Sequence, residues 1–475
     1  MNTIKILTLG CRLNQIESES IGKFFTDCNF QVDMIPITAQ SPINLEIPLC
    51  ILNTCTVTQK AEQKARRIIR LMLQKYPNST VLVTGCYAQL SPEEIKRIDK
   101  RIVVIGSQTK SRIITIPQML RNRLNENDFD SIKFVNEINV YNDNQKIEKK
   151  GFPENSFILS TSSFLSHSRA SLKIQDGCNS SCSYCAIHLA RGHSVSIDVQ
   201  TAINRVVELE NKGFGEVVLT TVNIGQYKGK YKDTYFNFSK LLQALLDNTK
   251  EITFRISSIY PEIVDEEFCK VIKDKRVRPH FHISLQSGSN KILNAMNRAY
   301  DANLVLNACK KIRQVKENAF LACDVITGFP GETDEDFKLT LDLCKDCDFT
   351  WVHAFPFSER PGTAAAEFKN KVPQSISGQR CKALNDFSLQ QKLKYIKSFE
   401  GKELSAILET VRRPSVINKN ISKFVYHAVT ENFIHCEITS DMILDTRKNL
   451  KIVITSVNED KLMKGGEIEA FAHFK

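Results

Sequence analysis

Short apolar runs alternate with stretches of helical periodicity in the amino-terminal part of the chain. The runs lie at residues 4–10, 50–54, 81–85 and 102–106 and read IKILTLG, CILNT, VLVTG and IVVIG. Runs of this length, separated by helical segments, are typical of buried strands in β-α units. The pattern therefore predicts an α/β domain with a parallel sheet over residues 1–121.

The segment that follows, residues 122–168, differs in composition. It is rich in Asn, Asp, Ser and Lys and has no sustained helical period. Such a composition is typical of loops and linkers. We expect a connector here, with one or two additional strands.

A second α/β pattern occupies residues 169–400. Helix-like segments such as AINRVVELENKG separate its apolar runs, which lie at 172–175, 216–223, 252–258, 280–287, 319–329 and 350–357. β-α units at this spacing favour a partial (β/α)6 barrel, whose reactive groups gather at the carboxyl ends of the strands. From residue 401 to 475 the chain instead shows short β-rich runs (ELSAILETV, FIHCEITS, KIVITSV), which predict a small β-barrel.

Composition narrows the class of protein. The longest apolar runs fall short of a membrane span, and Arg12 interrupts the start before a signal-peptide core can form. We therefore expect a cytoplasmic protein without membrane contact, in which the 15 cysteines remain reduced and raise the question of metal binding. The net charge of +11 suits a polyanionic partner but does not by itself identify one.

One cysteine motif follows the first strand of the second region. Within KIQDGCNSSCSYC, three cysteines have the spacing Cys178-x3-Cys182-x2-Cys185. Three thiolates on one loop can ligate three irons of a [4Fe-4S] cluster and leave the fourth iron open. A zinc knuckle and simple burial are the alternatives, although zinc needs a fourth ligand that the loop does not supply.

A second cysteine set is dispersed through the amino-terminal domain. Cys11, Cys55 and Cys86 each stand just past the carboxyl end of a predicted parallel strand. Parallel strands bring these ends to one edge of the sheet, where open α/β sheets bind ligands. Chance placement of buried cysteines is the alternative, and Cys50, which begins its strand, competes with Cys55.

The motif C-x3-C-x-aromatic-C after a first barrel strand resembles the radical S-adenosylmethionine (SAM) signature. The resemblance implies that SAM binds the open iron and is cleaved to a 5′-deoxyadenosyl radical, with Tyr184 near the adenine. It also places the rest of the SAM site at later strand ends, at Thr220, Thr221, Ile326, Gly328 and Glu332. The string GFPGET can equally be a tight turn before a helix capped by Thr333, and both interpretations can hold together.

Longer strings resemble one family of radical SAM enzymes. TLGCRLNQIESE, ILNTCTVTQKAEQKARRIIR and VTGCYAQ are similar to the amino-terminal domain of the methylthiotransferases, in which the cysteines matching Cys11, Cys55 and Cys86 hold an auxiliary [4Fe-4S] cluster. The carboxy-terminal barrel resembles a TRAM domain. RISS, HISLQSGSNKILNAMNR and FSERPGTAA are most similar to the branch acting on threonylcarbamoyladenosine beside the tRNA anticodon, the MtaB type.

This resemblance implies a reaction and its partners. One SAM supplies a methyl group to sulfur at the auxiliary cluster, and a second SAM supplies the radical that removes hydrogen from C2 of the adenine. The implied cofactors are two [4Fe-4S] clusters and SAM. The implied partners are tRNA and an electron donor such as flavodoxin or ferredoxin, for an enzyme that acts as a monomer.

Two other functions stay open at the level of sequence. One is methylthiolation of an aspartate in a ribosomal protein, against which FSERPGT argues, because that branch usually has an acidic residue where Arg360 and Pro361 stand. The other is a non-catalytic RNA-binding iron-sulfur protein. Two departures from the family pattern keep it open: AIHLARGHSVSID lacks the usual later arginines, and LTT replaces a typical LTG.

Substrate contacts are the least determined part of the sequence. The terminal barrel is nearly neutral, so phosphate contacts must come mainly from elsewhere. The helix QKAEQKARRIIR repeats basic residues at helical spacing, which fits either an RNA contact or a solvated face. A C-x2-C at Cys344 and Cys347 has no nearby sequence partner and predicts buried thiols. The substrate candidates are Asn14, Lys64, Arg67, Arg191, and, at the expected barrel mouth, Arg255 and Arg360.

Overall fold

A computed structural model describes residues 2–126, 129–145, 151–160, 168–416 and 422–475. The chain divides into two compact units. The first contains residues 1–165, 173–197 and 358–366, and the second contains residues 166–172, 198–357 and 367–475. Within the described ranges, we find no helix with both the length and the apolar character that a membrane span requires.

The amino-terminal part of the first unit is an α/β sheet domain. Its strands are β1 (Thr3–Thr8), β2 (Gln31–Asp33), β3 (Leu49–Thr54), β4 (Thr80–Gly85) and β5 (Ile102–Gly106). Its helices are α1 (Arg12–Asp27), α2 (Gln59–Lys75), α3 (Cys86–Leu90), α4 (Pro92–Lys96), α5 (Ile116–Asn125) and α6 (Ser131–Asn144). The predicted strands are confirmed, and β2 is a short edge strand that the apolar pattern does not reveal.

All strand pairs of this sheet are parallel, in the order β2-β1-β3-β4-β5. Both faces are covered, as the continuous apolar runs require. Ile51 and Leu52, neighbours on β3, belong to different buried clusters, one with Phe25 of α1 and the other with Ile69 of α2. Burial of each such side chain contributes about 1.5–3 kcal/mol to the free energy of unfolding, so the sheet that positions the strand ends is stable.

The middle of the chain continues with short elements around the cysteine loop and then the six β-α units. Its strands are β6 (Ala170–Lys173), β7 (Gln175–Asp176), β8 (Val195–Ser196), β9 (Glu216–Thr220), β10 (Gly229–Tyr231), β11 (Thr234–Phe236), β12 (Thr253–Ile256), β13 (Ser258–Ile259), β14 (His280–Gln286), β15 (Phe320–Thr327) and β16 (Trp351–Pro356). Its helices are α7 (Ile187–Arg191), α8 (Val199–Asn211), α9 (Phe238–Asp247), α10 (Glu266–Ile272), α11 (Asn290–Ala295), α12 (Ala302–Val315), α13 (Asp334–Asp346) and α14 (Gln374–Lys397).

Each of the six apolar runs predicted for the barrel contains a strand. The strands form two adjacent sheets, β12-β9-β6 and β13-β14-β15-β16, rather than one closed sheet. A bridge between Phe254 and Val277 connects the two sheets, and β6 and β16 are their outer strands, so the arrangement among the described residues is a partial barrel. The predicted fold class is therefore correct for this region.

The carboxy-terminal segment forms a closed five-stranded barrel in the order β17-β18-β19-β21-β20. Its elements are β17 (Glu403–Val416), β18 (Ser422–Thr430), β19 (His435–Ser440), β20 (Asn449–Val457), α15 (Glu459–Met463) and β21 (Ala470–Phe474). A TRAM-like barrel is thus confirmed, although the sequence runs indicated only three of its strands.

The connector differs from its prediction. Helix α6 occupies residues 131–144, and the described residues between 122 and 168 contain no strand. Asp130 caps the helix by accepting from the N–H groups of Ile132 and Lys133, and Phe134, Val135 and Ile138 bury one side of it in the core. Tertiary burial of these residues, not a long periodic pattern, fixes the helix. The parts of the predicted connector at 127–128, 146–150 and 161–167 lie outside the described residues.

Candidate functional site

The three amino-terminal cysteines stand together at one edge of the parallel sheet. Cys55 directly follows β3, Cys86 directly follows β4, and Cys11 precedes α1 just after β1. Cys55 and Cys86 are buried, whereas Cys11 is exposed. Burial raises the pKa of the Cys55 thiol to about 11, and the neighbouring Cys86 and Cys11 add to the rise. The three cysteines follow the adjacent parallel strands β1, β3 and β4, which brings them to one edge of the sheet, as the strand pattern predicts.

Glycine precedes two of these cysteines because the backbone there has no room for a side chain. Gly10 has a φ of +110°, and a Cβ on it would lie 2.5 Å from the Cβ of Cys55. Gly85 has a φ of +100°, and a Cβ there would collide with the carbonyl oxygen of Thr54. The close approach of these loops brings the thiols together.

Two buried asparagines join the loops that carry the cysteines. Asn14 donates from its amide nitrogen to the carbonyl oxygens of Leu9, at 2.9 Å, and Thr54, at 3.0 Å. Asn53 donates to the backbone oxygen of Asn14, at 2.9 Å, and to the hydroxyl of Ser18, at 3.1 Å. These bonds fix the segments next to Cys11 and Cys55.

The second cysteine set lies on the loop between β7 and α7. The backbone N–H of Cys178 donates to the carbonyl of Gly192, at 3.0 Å, which closes the base of this loop. The sulfur of Cys178 accepts the N–H of Ser180, and the sulfur of Cys185 accepts the N–H of Ile187, each at 3.4 Å.

Both cysteine sets therefore have a donor chemistry that fits an iron-sulfur cluster. Each offers three thiols, and helix α7 beside the second set contacts helix α3, which begins at Cys86. A set of three thiolates leaves one iron of a [4Fe-4S] cluster open for another ligand. The two sets belong to the same compact unit, although Cys86 and Cys178 are distant in sequence.

Five buried charged residues of the same unit are joined by ion pairs, and we call them the buried charge network: Glu17, Lys110, Lys173, Asp176 and Arg191. The carboxylate of Glu17 accepts hydrogen bonds from Lys110, from Lys173 at 3.2 Å and from Arg191 at 3.0 Å. Asp176 accepts from Lys173 at 3.1 Å and from Arg191 at 2.8 Å. Burial alone would raise the pKa of Glu17, but Arg191, Lys110 and Lys173 hold it well below its ordinary value.

Sequence reasoning missed four members of this network. Glu17 lies within the family-like string NQIESE, but its burial could not be read there. Lys110 and Lys173 stand far apart in sequence, and only the fold brings both to Glu17. A buried lysine is rare unless it is paired, so no local pattern could have identified either one.

Two substrate candidates have interior positions instead of the exposed positions expected of RNA contacts. Asn14 is fully buried, and its side-chain oxygen accepts from Arg191 at 2.8 Å. Arg191 is also buried, with partners on Glu17 and Asp176. The expectation of direct substrate contact at these two residues is therefore replaced by a role in holding the cysteine loops.

Arg255 lies away from the carboxyl ends of the barrel strands. Its guanidinium pairs with Glu216, the first residue of β9, at 2.8 Å and 3.0 Å. It also donates to the carbonyl oxygens of Thr430 and Glu431 in the terminal barrel. The predicted position at the barrel mouth is wrong. The carboxylate partner of Arg255 is Glu216, which begins β9, so the pair lies toward the amino-terminal ends of the strands.

The predicted basic helix is α2. Thr58 caps it by accepting from the N–H of Ala61, and its inner face buries Ala65, Ile69, Met72 and Leu73. The outer face exposes Lys60, Lys64, Arg67 and Arg70. Because α2 begins at Gln59, shortly after Cys55, the start of this basic face lies near the amino-terminal cysteine set.

Arg360 is buried in the same unit as α2. It donates to the hydroxyl of Thr56 at 2.8 Å and to the carboxylate of Glu62. Its Nε and Nη1 atoms are buried without a hydrogen-bond partner in the part of the chain that the structure describes. Thr56 directly follows Cys55, so these two unused donors lie near the amino-terminal cysteine set.

The SAM-site candidates of the second unit lie at strand ends as expected. Thr220 ends β9, and the hydroxyl groups of Thr221 and Ser257 are 3.4 Å apart. Ile326 lies near the end of β15 and is partly buried. In the first unit, Tyr184 lies inside the cysteine loop and is partly buried.

The GFPGET segment forms the predicted tight turn. Gly328 has a φ of +71°, and its N–H donates to Glu332 at 2.6 Å. Arg380 donates to the same carboxylate oxygen, while the other oxygen of Glu332 is buried without a partner among the described residues. Thr333 caps α13 through a capping box. The turn is thus confirmed, and cofactor binding by this segment stays a prediction.

The remaining cysteines have other surroundings. Cys50 is buried within β3, 3.5 Å from the hydroxyl of Ser79, and does not replace Cys55. Cys344 and Cys347 are buried as predicted, but they have partners that the sequence did not indicate. The neighbouring Cys347 raises the pKa of the Cys309 thiol, and burial together with the neighbouring Cys344 raises the pKa of the Cys323 thiol.

The partial barrel with a three-cysteine loop after its first strand defines a radical SAM iron-sulfur protein. The family model of the Radical SAM superfamily matches residues 172–344. A second model, described as Uncharacterized protein family UPF0004, matches residues 3–106. The solved structure of the radical SAM methyltransferase TsrM from Kitasatospora setae, with cobalamin and a [4Fe-4S] cluster bound, has the same fold. Its TM-score is 0.50 at 12% identity, over 77% of each chain.

Curated relatives identify the family. The threonylcarbamoyladenosine tRNA methylthiotransferase MtaB of Treponema pallidum is 40% identical, over 86% of this chain and 91% of the relative. The Bacillus subtilis protein of that name is 30% identical, over 100% and 99%. A tRNA-2-methylthio-N(6)-dimethylallyladenosine synthase of Ehrlichia ruminantium is 30% identical, over 84% and 86%. The chain belongs to the tRNA methylthiotransferase family, whose radical SAM enzymes use SAM and [4Fe-4S] clusters.

Proposed function

We propose that this enzyme attaches a methylthio group to C2 of N6-threonylcarbamoyladenosine beside the anticodon of tRNA. The observation that carries the proposal is the convergence of Cys11, Cys55 and Cys86 in the same compact unit as the loop of Cys178, Cys182 and Cys185. The Treponema pallidum and Bacillus subtilis relatives bear the name of this activity.

Each set of three cysteines holds one of the two clusters. Cys178, Cys182 and Cys185 hold the cluster that binds SAM, and Cys11, Cys55 and Cys86 hold the auxiliary cluster. When bound, these groups supply a carbon-centred radical and a methylthio group, chemistry that no side chain can provide for an unactivated aromatic C–H bond. The sequence resemblance supports Tyr184, Thr220, Thr221, Ile326, Gly328 and Glu332 as the residues that contact SAM.

The chain's own residues position the substrate. The exposed face of α2 with Lys60, Lys64, Arg67 and Arg70 binds the phosphate backbone of the tRNA beside the amino-terminal cysteine set. The threonylcarbamoyl group carries a carboxylate, and Arg360 has two buried donors without partners among the described residues. An apolar dimethylallyl group could not use these donors, which favours threonylcarbamoyladenosine as the substrate.

The remaining partners follow from the reaction. Reductive cleavage of SAM needs single electrons at low potential, so a flavodoxin or a ferredoxin supplies them. The enzyme acts as a monomer, and because its substrate is tRNA it works in the cytoplasm.

Mass spectrometry of nucleosides from bulk tRNA tests the proposal. In a strain that lacks this gene, the methylthio form of threonylcarbamoyladenosine should be absent. Wild-type chain should restore it, and the Cys182→Ala variant should not. Loss of the methylthio form of dimethylallyladenosine would assign the other tRNA substrate. An unchanged nucleoside profile would overturn the tRNA assignment and direct attention to the ribosomal-protein aspartate reaction.

A further inference from the structure

The buried charge network lies in the same compact unit as both cysteine sets and does not take part in the proposed ligation. Its members come from distant parts of the first unit: Glu17 from α1, Lys110 from the segment after β5, Lys173 and Asp176 from β6 and β7, and Arg191 from α7. All five are buried. Desolvation costs several kcal/mol for each buried ion, so solubility does not explain why five charged residues are buried together.

The network contains one more cation than it has anions. Lys110, Lys173 and Arg191 carry three positive charges, against two negative charges on Glu17 and Asp176. Glu17 stays ionised, because its three cationic partners hold its pKa well below the ordinary value despite burial. These five residues together therefore carry a net charge of +1, in surroundings where water screens it poorly.

Hydrogen bonds connect two of these cations to the loops of the amino-terminal cysteines. Arg191 donates to Asn14, which holds the carbonyls of Leu9 and Thr54. Lys110 donates to the side-chain oxygen of Asn53 at 3.1 Å, two residues before Cys55. Both cations are also near enough to Cys86 to interact with its sulfur electrostatically, and so is the Glu17 carboxylate, with the opposite sign. Lys110 and Glu17 therefore act on the same cysteine set in opposite directions.

We propose that the buried charge network sets the reduction potential of the auxiliary cluster, with Lys110 and Glu17 as positioning residues of opposite effect. The inference rests on the proposed ligation of that cluster by Cys11, Cys55 and Cys86. A [4Fe-4S] cluster held by three thiolates gains one electron, supplied by an external reductant, when it passes from its oxidised to its reduced state. A nearby positive charge stabilises the more negative reduced state, so the network raises the potential.

The test uses full-length chain in which Cys178, Cys182 and Cys185 are alanine, so that only the auxiliary cluster remains. Its midpoint potential is measured by titration with dithionite and mediators, followed by electron paramagnetic resonance. In this background Lys110→Met removes a positive charge and Glu17→Gln removes a negative one. Lys5→Met is the matched control, because Lys5 is a buried lysine of the same unit paired with Asp33 at 2.7 Å, outside the network.

We expect Lys110→Met to lower the midpoint potential and Glu17→Gln to raise it. Each should change the reduction equilibrium at least tenfold, which is about 59 mV for a one-electron couple. Lys5→Met should leave the potential unchanged. Opposite signs distinguish an electrostatic role from a loss of structure, and if one variant fails to fold, the sign of the other decides.

Failure of the ligand assignment and failure of the inference about the network give different results. If the parent with three alanines contains no cluster, the ligand assignment in the proposed function is wrong, and the inference that depends on it is overturned as well. If the parent holds four irons per chain but the network variants have its midpoint potential, or shift it in the same direction, the proposed ligation stands and the inference about the network is overturned.

Discussion

Arg191 donates a hydrogen bond to the side-chain oxygen of Asn14 over 2.8 Å, although the two residues are 177 positions apart. Arg191 belongs to the helix that follows the Cys178 loop, and Asn14 belongs to the helix that follows Cys11. The bond therefore links the two helices that follow the two cysteine sets, within one compact unit. It also explains why an arginine that resembles a substrate contact in the sequence is buried.

The basic face of α2 should bind phosphate groups of the tRNA. Reversing two exposed charges, with Lys64→Glu and Arg67→Glu together, should weaken tRNA binding. It should also reduce the log-log slope of affinity against salt by about one unit for each phosphate that is no longer neutralised. Filter binding over a series of salt concentrations measures both quantities. Lys338→Glu, on an exposed helix of the second unit, is the control. Equal salt slopes for all three proteins would show that α2 is only a solvated face.

Arg360 should distinguish the modified adenosine. Arg360→Met removes the two donors without partners together with the bonds to Thr56 and Glu62. A charge-assisted hydrogen bond contributes about 1.5–3 kcal/mol, so kcat/KM for tRNA bearing threonylcarbamoyladenosine should fall about 10- to 100-fold. Production of 5′-deoxyadenosine from SAM without tRNA should persist, which serves as the internal control. Wild-type kcat/KM in this variant would contradict a substrate role.

Arg255 should matter for stability and not for substrate binding. Replacing Arg255 with Met leaves the buried Glu216 carboxylate with fewer cations, and breaking a buried pair in this way costs about 3–5 kcal/mol. Chemical denaturation should detect this decrease in stability. In the folded fraction, the KM for tRNA should match that of the wild type. A raised KM with unchanged stability would return Arg255 to the substrate site.

His280 should make the fold less stable in mild acid. Burial lowers the pKa of His280 well below its ordinary value, with a further contribution from Arg255. The unfolded chain therefore binds more protons than the folded chain below about pH 6.5, and stability falls with decreasing pH by up to about 1.4 kcal/mol per unit from this group. Unfolding of wild type and His280→Phe between pH 7.5 and 5.5 checks this, because the variant should have a shallower dependence. Parallel curves would exclude the effect.

The sequence predicted those parts of the fold that depend on local patterns. Apolar runs located the parallel strands, and the position of cysteines after strand ends predicted that Cys11, Cys55 and Cys86 would meet. Helix α6 escaped prediction because its stability comes from tertiary burial of Phe134, Val135 and Ile138 in a polar sequence. A long-range effect of the same kind hid the buried charge network, since Lys110 and Lys173 find Glu17 only in the folded chain.

In the proposed function, the two cysteine sets hold two clusters with separate tasks. Anaerobic reaction of reconstituted chain with SAM, dithionite and tRNA bearing threonylcarbamoyladenosine tests it most directly, with nucleosides and 5′-deoxyadenosine measured by mass spectrometry. Cys182→Ala should abolish both products, Cys55→Ala should abolish methylthiolation while 5′-deoxyadenosine still forms, and Cys50→Ala should retain both. Methylthiolation by the Cys55→Ala variant would show that the auxiliary cluster is not held by these cysteines or is not needed.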